Sequence, residues 1–234
     1  MSIYVIGDLH LSFSADKPMD IFGNNWFNHS EKIKNNWIKK VTENDTVIIP
    51  GDFSWATYLE ETYKDFEFLN DLPGKKILLK GNHDYWWTTI TNMNKFLKEN
   101  NFENIYFLHN NSYLVEDIIC TGTRGWINSY QSPDNYKILK RENDRLKLSI
   151  NDGIKKYGKE KEIIAFMHYP PFYKDEVNEE IDFIKTMNDY NISKCYYGHL
   201  HSDSHKEAVE GIVNGIEFKL ISSDYTDFDL IKIK

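Results

Sequence analysis

Cysteine is nearly missing from this chain. Its 234 residues hold two, Cys120 and Cys195, far apart and outside any Cys-x-x-Cys pattern. They make no disulfide framework and read as buried thiols in a reducing compartment. Long apolar runs are missing too. The longest cover four or five residues, as in Ile3-Tyr4-Val5-Ile6 and Thr46-Val47-Ile48-Ile49, against the ~20 that a bilayer-crossing helix needs. No basic region, apolar stretch or small-residue cleavage site follows Met1, so a secretion signal is not expected and a cytoplasmic location is. Positive charge is in deficit. A net charge of -8 argues against nucleic acid as the main partner, because coating a polyanion takes a cationic surface. A local cationic site survives that argument, since bound divalent ions reverse the field of an acidic cleft. Linkers, repeats and low-complexity tracts are also absent, and one domain over residues 1–234 is expected.

What is present is globular in kind: 41% apolar and 15% aromatic residues rule out a disordered chain. Short runs rich in Ile, Val and Tyr alternate with stretches of helical period. Ile3–Ile6, Thr46–Ile49 and Lys75–Lys80 read as buried strands, each followed by a glycine-containing turn. Between them, Ile33, Trp37, Ile38 and Val41 fall at helical spacing, and so do Leu59, Tyr63, Phe66 and Leu69. This order predicts crossovers and a sheet that is parallel at its centre. A helix over about Ile90–Asn100 and a strand at Ile105–Leu108 follow, then a hairpin of Tyr113–Val115 and Ile118–Thr121. The charged stretch from Asp134 to Tyr157 reads as a solvated helix with Ile138, Leu139, Leu146 and Ile150 on its inner face. Strands Ile163–Met167 and Lys194–Tyr197 come next. Ala208–Val213, Ile216–Ile221 and Leu230–Ile233 read as an antiparallel meander, with Asn214-Gly215 as a hairpin turn. Two sheets are expected, one more parallel and one more antiparallel, covered by helices.

Every major strand end carries a residue able to bind metal: Asp8-Leu9-His10, Gly51-Asp52, Gly81-Asn82-His83-Asp84, His168 and Gly198-His199-Leu200-His201. In sheets of this kind the carboxyl ends of the strands meet at one crevice, so ligands spread along the whole chain converge. Each pattern alone is weak evidence; five in this order are strong. Capping of the following helices is the plainer role for Asp8 and Asp52 taken singly, and a purely structural cap is the alternative role for Asp84, which sits just before Tyr85-Trp86-Trp87.

Together these motifs resemble the calcineurin-like metallophosphoesterase family, over residues 8 to 201 and with no motif missing. The setting Met167-His168-Tyr169-Pro170-Pro171 is similar to that family as well. The resemblance implies an α/β fold: a four-layer α/β/β/α sandwich with two mixed β-sheets and a metal site at the strand carboxyl ends. It implies a first metal ion on Asp8, His10, Asp52 and His201. A second would lie on Asp52, Asn82, His168 and His199, with Asp52 bridging. His83 would be the catalytic histidine and Asp84 its orienting partner.

The donor types fit that chemistry independently. Mixed imidazole and oxygen ligands suit transition ions such as Mn, Fe or Zn rather than Ca or Mg. Two divalent ions against Asp8, Asp52 and a bridging hydroxide leave a net positive centre, and Asn82 coordinates without cancelling charge. The expected substrate is therefore a small phosphate ester, mono- or diester, attacked by hydroxide with His83 protonating the leaving alkoxide. A nuclease and a catalytically weak binding scaffold of the same fold are the competing readings. Intact ligands and His83 speak against the scaffold, and the charge speaks against the nuclease.

Other residues stay open at this level. Arg124, after a strand and near glycines, suits either a bidentate phosphate contact or a structural ion pair. Trp55, Trp86, Trp87 and Trp126 suit either a stacking wall or core packing. His29, His109 and His205 sit in no motif and read as surface or satisfied core. The loops Leu11–Asn28, Phe53–Leu59 and Gly125–Asn135, expected to set the substrate, contain no decodable motif.

Overall fold

A computed structural model of the chain describes residues 1–127, 132–174 and 181–234. Two sheets carry the fold. The first contains β1 (Ile3–Val5), β2 (Thr46–Pro50), β3 (Lys75–Leu79), β4 (Ile105–Leu108) and a late strand, β11 (Ile231–Lys232), in the order β11-β1-β2-β3-β4. The second contains β5 (Tyr113–Val115), β6 (Ile118–Thr123), β7 (Glu162–Met167), β8 (Lys194–Tyr197), β9 (Gly211–Val213) and β10 (Ile216–Leu220), in the order β5-β6-β7-β8-β10-β9. The helices are α1 (His29–Lys40), α2 (Tyr63–Asp71), α3 (Ile90–Glu99), α4 (Pro133–Tyr157) and α5 (Asp182–Asp189).

Side-chain alternation explains why the strands are apolar throughout. In a strand successive side chains face opposite ways, and here both faces are buried. Tyr4, Val47, Ile49, Leu78 and Phe107 point to a core shared with Ile33, Trp37, Phe66, Met93 and Leu97 of α1, α2 and α3. Their neighbours Ile3, Val5, Ile48, Ile77 and Leu79 point the other way. They meet Ile118, Cys120, Ile164, Phe166 and Tyr196 of the second sheet. That sheet's far face, with Ile163, Ala165, Met167, Cys195 and Phe218, packs on Leu139, Leu146 and Ile150 of α4 and on Phe183, Ile184 and Met187 of α5. Three apolar cores between helices, sheet, sheet and helices make a four-layer sandwich. Both cysteines are buried and free.

The structure departs from the sequence expectations at two points. Both sheets are parallel at their centres and antiparallel only at their edges, where β11, β5 and β9 lie. Neither is mainly antiparallel. The C-terminal meander does not form: β9 and β10 make the hairpin, but β10 lies parallel to β8 and Leu230–Ile233 crosses to the other sheet. The connection after β10 is too long for a hairpin and is held elsewhere. Ser223 bonds to the Gly7 carbonyl through its N–H at 3.1 Å and its hydroxyl at 2.6 Å. Phe228 then enters the first core, which delivers β11 to the edge beside β1. Helix α4 starts at Pro133, because Ser132 caps it by accepting the Asn135 N–H and proline suits the first helical turn. Residues 128–131 of the loop expected over Gly125–Asn135 lie outside the described residues. No helix among the described residues is long and apolar enough to cross a membrane.

Candidate metal centre

The residues at the ends of β1, β2 and β3 and of β7 and β8 come from neighbouring strands of the two sheets, so the packing of one sheet on the other brings them into one place. The backbone turns sharply as it leaves these strands. Asp8, His10, Asp52 and His199 all have positive φ, at 57°, 46°, 51° and 74°. A left-handed conformation is costly for residues with a side chain, and such strain concentrates at functional sites. Two glycines make room for the carboxylates. A Cβ on Gly81 would overlap Asp52, and one on Gly198 would overlap Asp8.

Asp8, His10, Asp52 and His168 are buried, and Asn82, His83, His199 and His201 are partly open. His10 Nε2 faces His201 Nε2 at 3.3 Å. Asp52 Oδ2 lies 3.7 Å from His10 Nε2, and Asp8 Oδ1 lies 3.7 Å from His201 Nε2. A second convergence lies beside the first. Asn82 Oδ1 is 2.6 Å from His168 Nε2 and 2.9 Å from His199 Nδ1, while His168 Nε2 is 3.5 Å from Asp52 Oδ1. The two oxygens of Asp52 thus face the two clusters. The His199 N–H donates to Asp8 at 3.0 Å and locks the β1 and β8 turns together. His83 Nδ1 sits 2.7 Å from Asp52 Oδ2. Its side chain is 31% exposed and can be reached from solvent.

Burial drives the His10 and His199 imidazoles down, to about 4 and about 3, so both are neutral near pH 7 with a lone pair to offer. Burial also opposes the charged form of His201, but hydrogen bonds to Asp224 and Asp8 prevail and lift it to about 10. Burial alone would raise Asp8 and Asp52. The imidazoles around them, His201 first for Asp8 and His168 first for Asp52, hold both below the usual carboxylate range.

These donors fit metal ions. Imidazole nitrogens that face one another beside buried carboxylates can share a cation, and nitrogen-oxygen sets of this kind suit transition metals. Three overlapping groups, Asp8-His10-His201, His10-Asp52-His83 and Asp8-Asp52-His168, each bring their ligand atoms within 4.8 Å of one another. A bound ion would displace the proton that His201 otherwise holds.

Asp84 does something other than hold the His83 ring. Its carboxylate accepts the N–H groups of Asp52 at 2.9 Å, Phe53 at 2.9 Å, Ser54 at 3.3 Å and Gly81 at 2.7 Å, and the Trp86 indole N–H at 3.0 Å. The family resemblance implied a ring partner. The turn after His83 instead aims Asp84 inward, where it clamps the two loops that present Asp52 and Asn82. Burial, then the neighbouring Asp52 charge, raises it to about 6.

Sequence reasoning missed Asp224, which lies 2.7 Å from His201 Nδ1 and 3.3 Å from His205 Nε2. Its one signal was position: it follows a strand end, like the ligands. His205 therefore belongs to the surroundings of the site, and so does His29, whose Nε2 is 3.2 Å from the His10 carbonyl. Of the four tryptophans, Trp55 stacks on His10 at 5.0 Å between ring centres and sits 4.4 Å from His83. Trp86 and Trp87 are core residues. Trp126 lies under Arg124, with 4.7 Å between the guanidinium and the ring centre, and Arg124 faces the buried Glu142 at 3.8 Å.

Residues 1–203 match the calcineurin-like phosphoesterase family, and the chain belongs to it. Among curated relatives is the uncharacterized protein L509 of Acanthamoeba polyphaga mimivirus, 23% identical over 180 residues. That alignment covers 64% of this chain and 61% of the viral protein. Solved structures share the fold at low identity. The TT1561 protein of Thermus thermophilus has a TM-score of 0.59 at 12% identity, with 98% of this chain and 96% of that one covered. The phosphopantetheinyl hydrolase of Mycobacterium tuberculosis has 0.56 at 13%, covering 99% and 95%. AQ665 of Aquifex aeolicus, of unknown function, has 0.52 at 18%, also covering 99% and 95%.

Proposed function

We propose that the protein is a dinuclear metal-dependent phosphohydrolase acting on a small phosphate ester. The observation that carries this reading is Asp52, whose Oδ2 faces His10 and whose Oδ1 faces His168, as one carboxylate shared between two cation positions would. Asp8, His10, Asp52 and His201 would hold one ion, and Asp52, Asn82, His168 and His199 the other. When bound, such ions supply Lewis-acid polarisation of a phosphoryl group and a nucleophilic oxygen near neutral pH. Mn, Fe and Zn suit the donors.

The chain's own residues divide the remaining work. Asn82 contributes an oxygen without negative charge, so the centre stays electropositive and draws an anion. His83, accessible and next to the shared carboxylate, delivers a proton to the departing alkoxide. Trp55 packs on both His10 and His83, which fixes the two ring planes and keeps water off one side. Asp84 positions the loops that carry Asp52 and Asn82.

The test is a panel of aryl phosphomonoesters and diesters, nucleotides and sugar phosphates with the Mn-, Fe- or Zn-loaded protein. Metal-dependent turnover is expected, and His83→Asn should lower kcat by about 10²–10⁴-fold, the usual worth of a positioned acid, with metal content unchanged. Turnover within a few-fold of wild type in that variant would remove His83 from the reaction. No turnover with any metal would favour a binding scaffold.

A further inference from the structure

Two loops that carry residues of the metal centre run on past it and become the walls of an open cleft. Its volume is about 760 Å³, within the range of small-molecule sites. One wall is formed by Thr57 and Tyr58, just beyond Trp55, and the other by Tyr85 and Trp87, just beyond His83; Asn92 and Lys95 of α3 complete it. Both walls are braced. The Glu61 carboxylate accepts the N–H groups of Thr57 at 3.0 Å and Tyr58 at 3.1 Å, and Asp84 accepts the Trp86 indole N–H between Tyr85 and Trp87. The cleft is therefore formed before any ligand enters it.

Its surface is unusual for a chain that otherwise buries its large rings. Tyr58 and Tyr85, one from each loop, are 65% and 62% exposed. The Trp87 indole N–H is buried with no hydrogen-bond partner among the described residues, and a buried donor left unpaired calls for a reason. Position ties the cleft to one side of the reaction. The Tyr85 N–H donates to the His83 carbonyl at 2.8 Å, and the Tyr85 ring lies edge-on to the His83 ring with 6.3 Å between centres. His83 is the proton donor to the departing alkoxide in the reading above, so the leaving group departs toward Tyr85. Charge narrows what that group is. Lys95 lies 3.6 Å from Glu99, and Glu60 adds another carboxylate. With no surplus cation, the cleft suits an uncharged planar body and not a second phosphate. Thr57, Thr88 and Asn92 offer hydrogen-bonding groups to its edges.

We infer that the cleft receives the base of a nucleotide whose phosphate goes to the metal centre and whose nucleoside is the leaving group. The oxygen of water bonds to phosphorus and the bond from phosphorus to the ribose oxygen breaks. The nucleoside hydroxyl takes the proton that His83 donates, and His83 regains one from the attacking water. Every base has a face that stacks on an aromatic ring, which the two tyrosines provide. The inference rests on the phosphohydrolase reading for the reaction, but occupancy of the cleft can be tested without turnover.

The first experiment titrates the metal-loaded protein with adenosine, guanosine, cytidine and uridine, followed by saturation-transfer NMR. These probes carry no phosphate, so binding reports the cleft and not the metal centre. Wild type is expected to bind at least one of them at millimolar concentration. Tyr58→Ala and Tyr85→Ala should each weaken that binding about tenfold, toward the low end of what one base–aromatic stack is worth. Both side chains are exposed, so the variants should fold. The second experiment compares the 5′-monophosphate of the bound nucleoside with ribose 5-phosphate, which keeps the sugar and loses the base. Wild type should favour the nucleotide in kcat/KM, and Tyr85→Ala should lower the ratio of the two values about tenfold, mainly through KM, as for a contact made equally in ground and transition states. Failure to bind any nucleoside, equal affinity in the three proteins, or an unchanged ratio in Tyr85→Ala would overturn the inference. If wild type hydrolyses no ester, the phosphohydrolase reading falls while the nucleoside titration still decides the cleft.

Discussion

Asp224 Oδ1 lies 2.7 Å from His201 Nδ1, on the side of the ring away from the Nε2 that faces Asp8 and His10. A carboxylate in that place fixes the tautomer of the imidazole, aims Nε2 inward and raises its basicity. Asp224→Asn should therefore weaken metal binding about 10–100-fold, read by metal titration of the chelated protein. Asp224→Glu should recover part of the loss. Unchanged affinity in the asparagine variant would make the pair ornamental.

Asp84 gives a different signature. Its carboxylate holds the backbone of residues 52, 53, 54 and 81 together with the Trp86 indole. Asp84→Ala leaves these buried donors without an acceptor, at about 1–3 kcal/mol each before relaxation. A large drop in urea-unfolding stability is expected in the metal-free protein as well as the loaded one. Loss confined to activity would instead return Asp84 to the chemistry.

Gly198 tests the strand-end design by addition rather than removal. A methyl group there would meet the Asp8 carboxylate. Gly198→Ala should displace Asp8 and lower the affinity of the metal position that includes His201, while the far-ultraviolet spectrum stays native. Full metal content, measured by elemental analysis, would count against the close approach.

Lys76 is a fully buried lysine whose amine donates to the Leu72 carbonyl. Burial pulls it down to about 8, although Glu43 and Asp71 favour its charge. The unfolded chain keeps the proton up to about 10.4. Between these values the unfolded state binds more protons, so stability should rise with pH from about 8 to 10, by about 3 kcal/mol in all. Lys76→Met should abolish that rise in urea melts at about pH 7.5 and 10.

Much of this site was legible because its ligands follow one rule, a polar residue just past an apolar strand. Asp8, Asp52, Asn82, His168 and His199 all obey it, and sheet geometry then brings them together. What escaped depended on directions that one-dimensional spacing does not hold. Asp84 neighbours His83 in the chain, yet its side chain turns the other way. Asp224 obeys the rule but was hidden, because the segment after β10 was read as part of a meander when it crosses to the first sheet. The four tryptophans looked alike in sequence. Only Trp55 of these four meets His10 and His83, and its neighbours Phe53 and Ala56 pack into the core.

The pairing of Asp8 with the His199 N–H joins residues 191 positions apart, and this has a kinetic meaning. A chain emerging from its first residue has Asp8, His10 and Asp52 long before the imidazoles that complete either set. Closing so long a loop is slow and entropically costly until native packing rewards it. A partly folded chain therefore offers only fragments of a site, with weak and indiscriminate affinity, and tight loading comes after the two sheets have docked. Metal uptake followed in time during refolding should trail the burial of the core between the sheets, making the bound ion a clock for the last step of assembly.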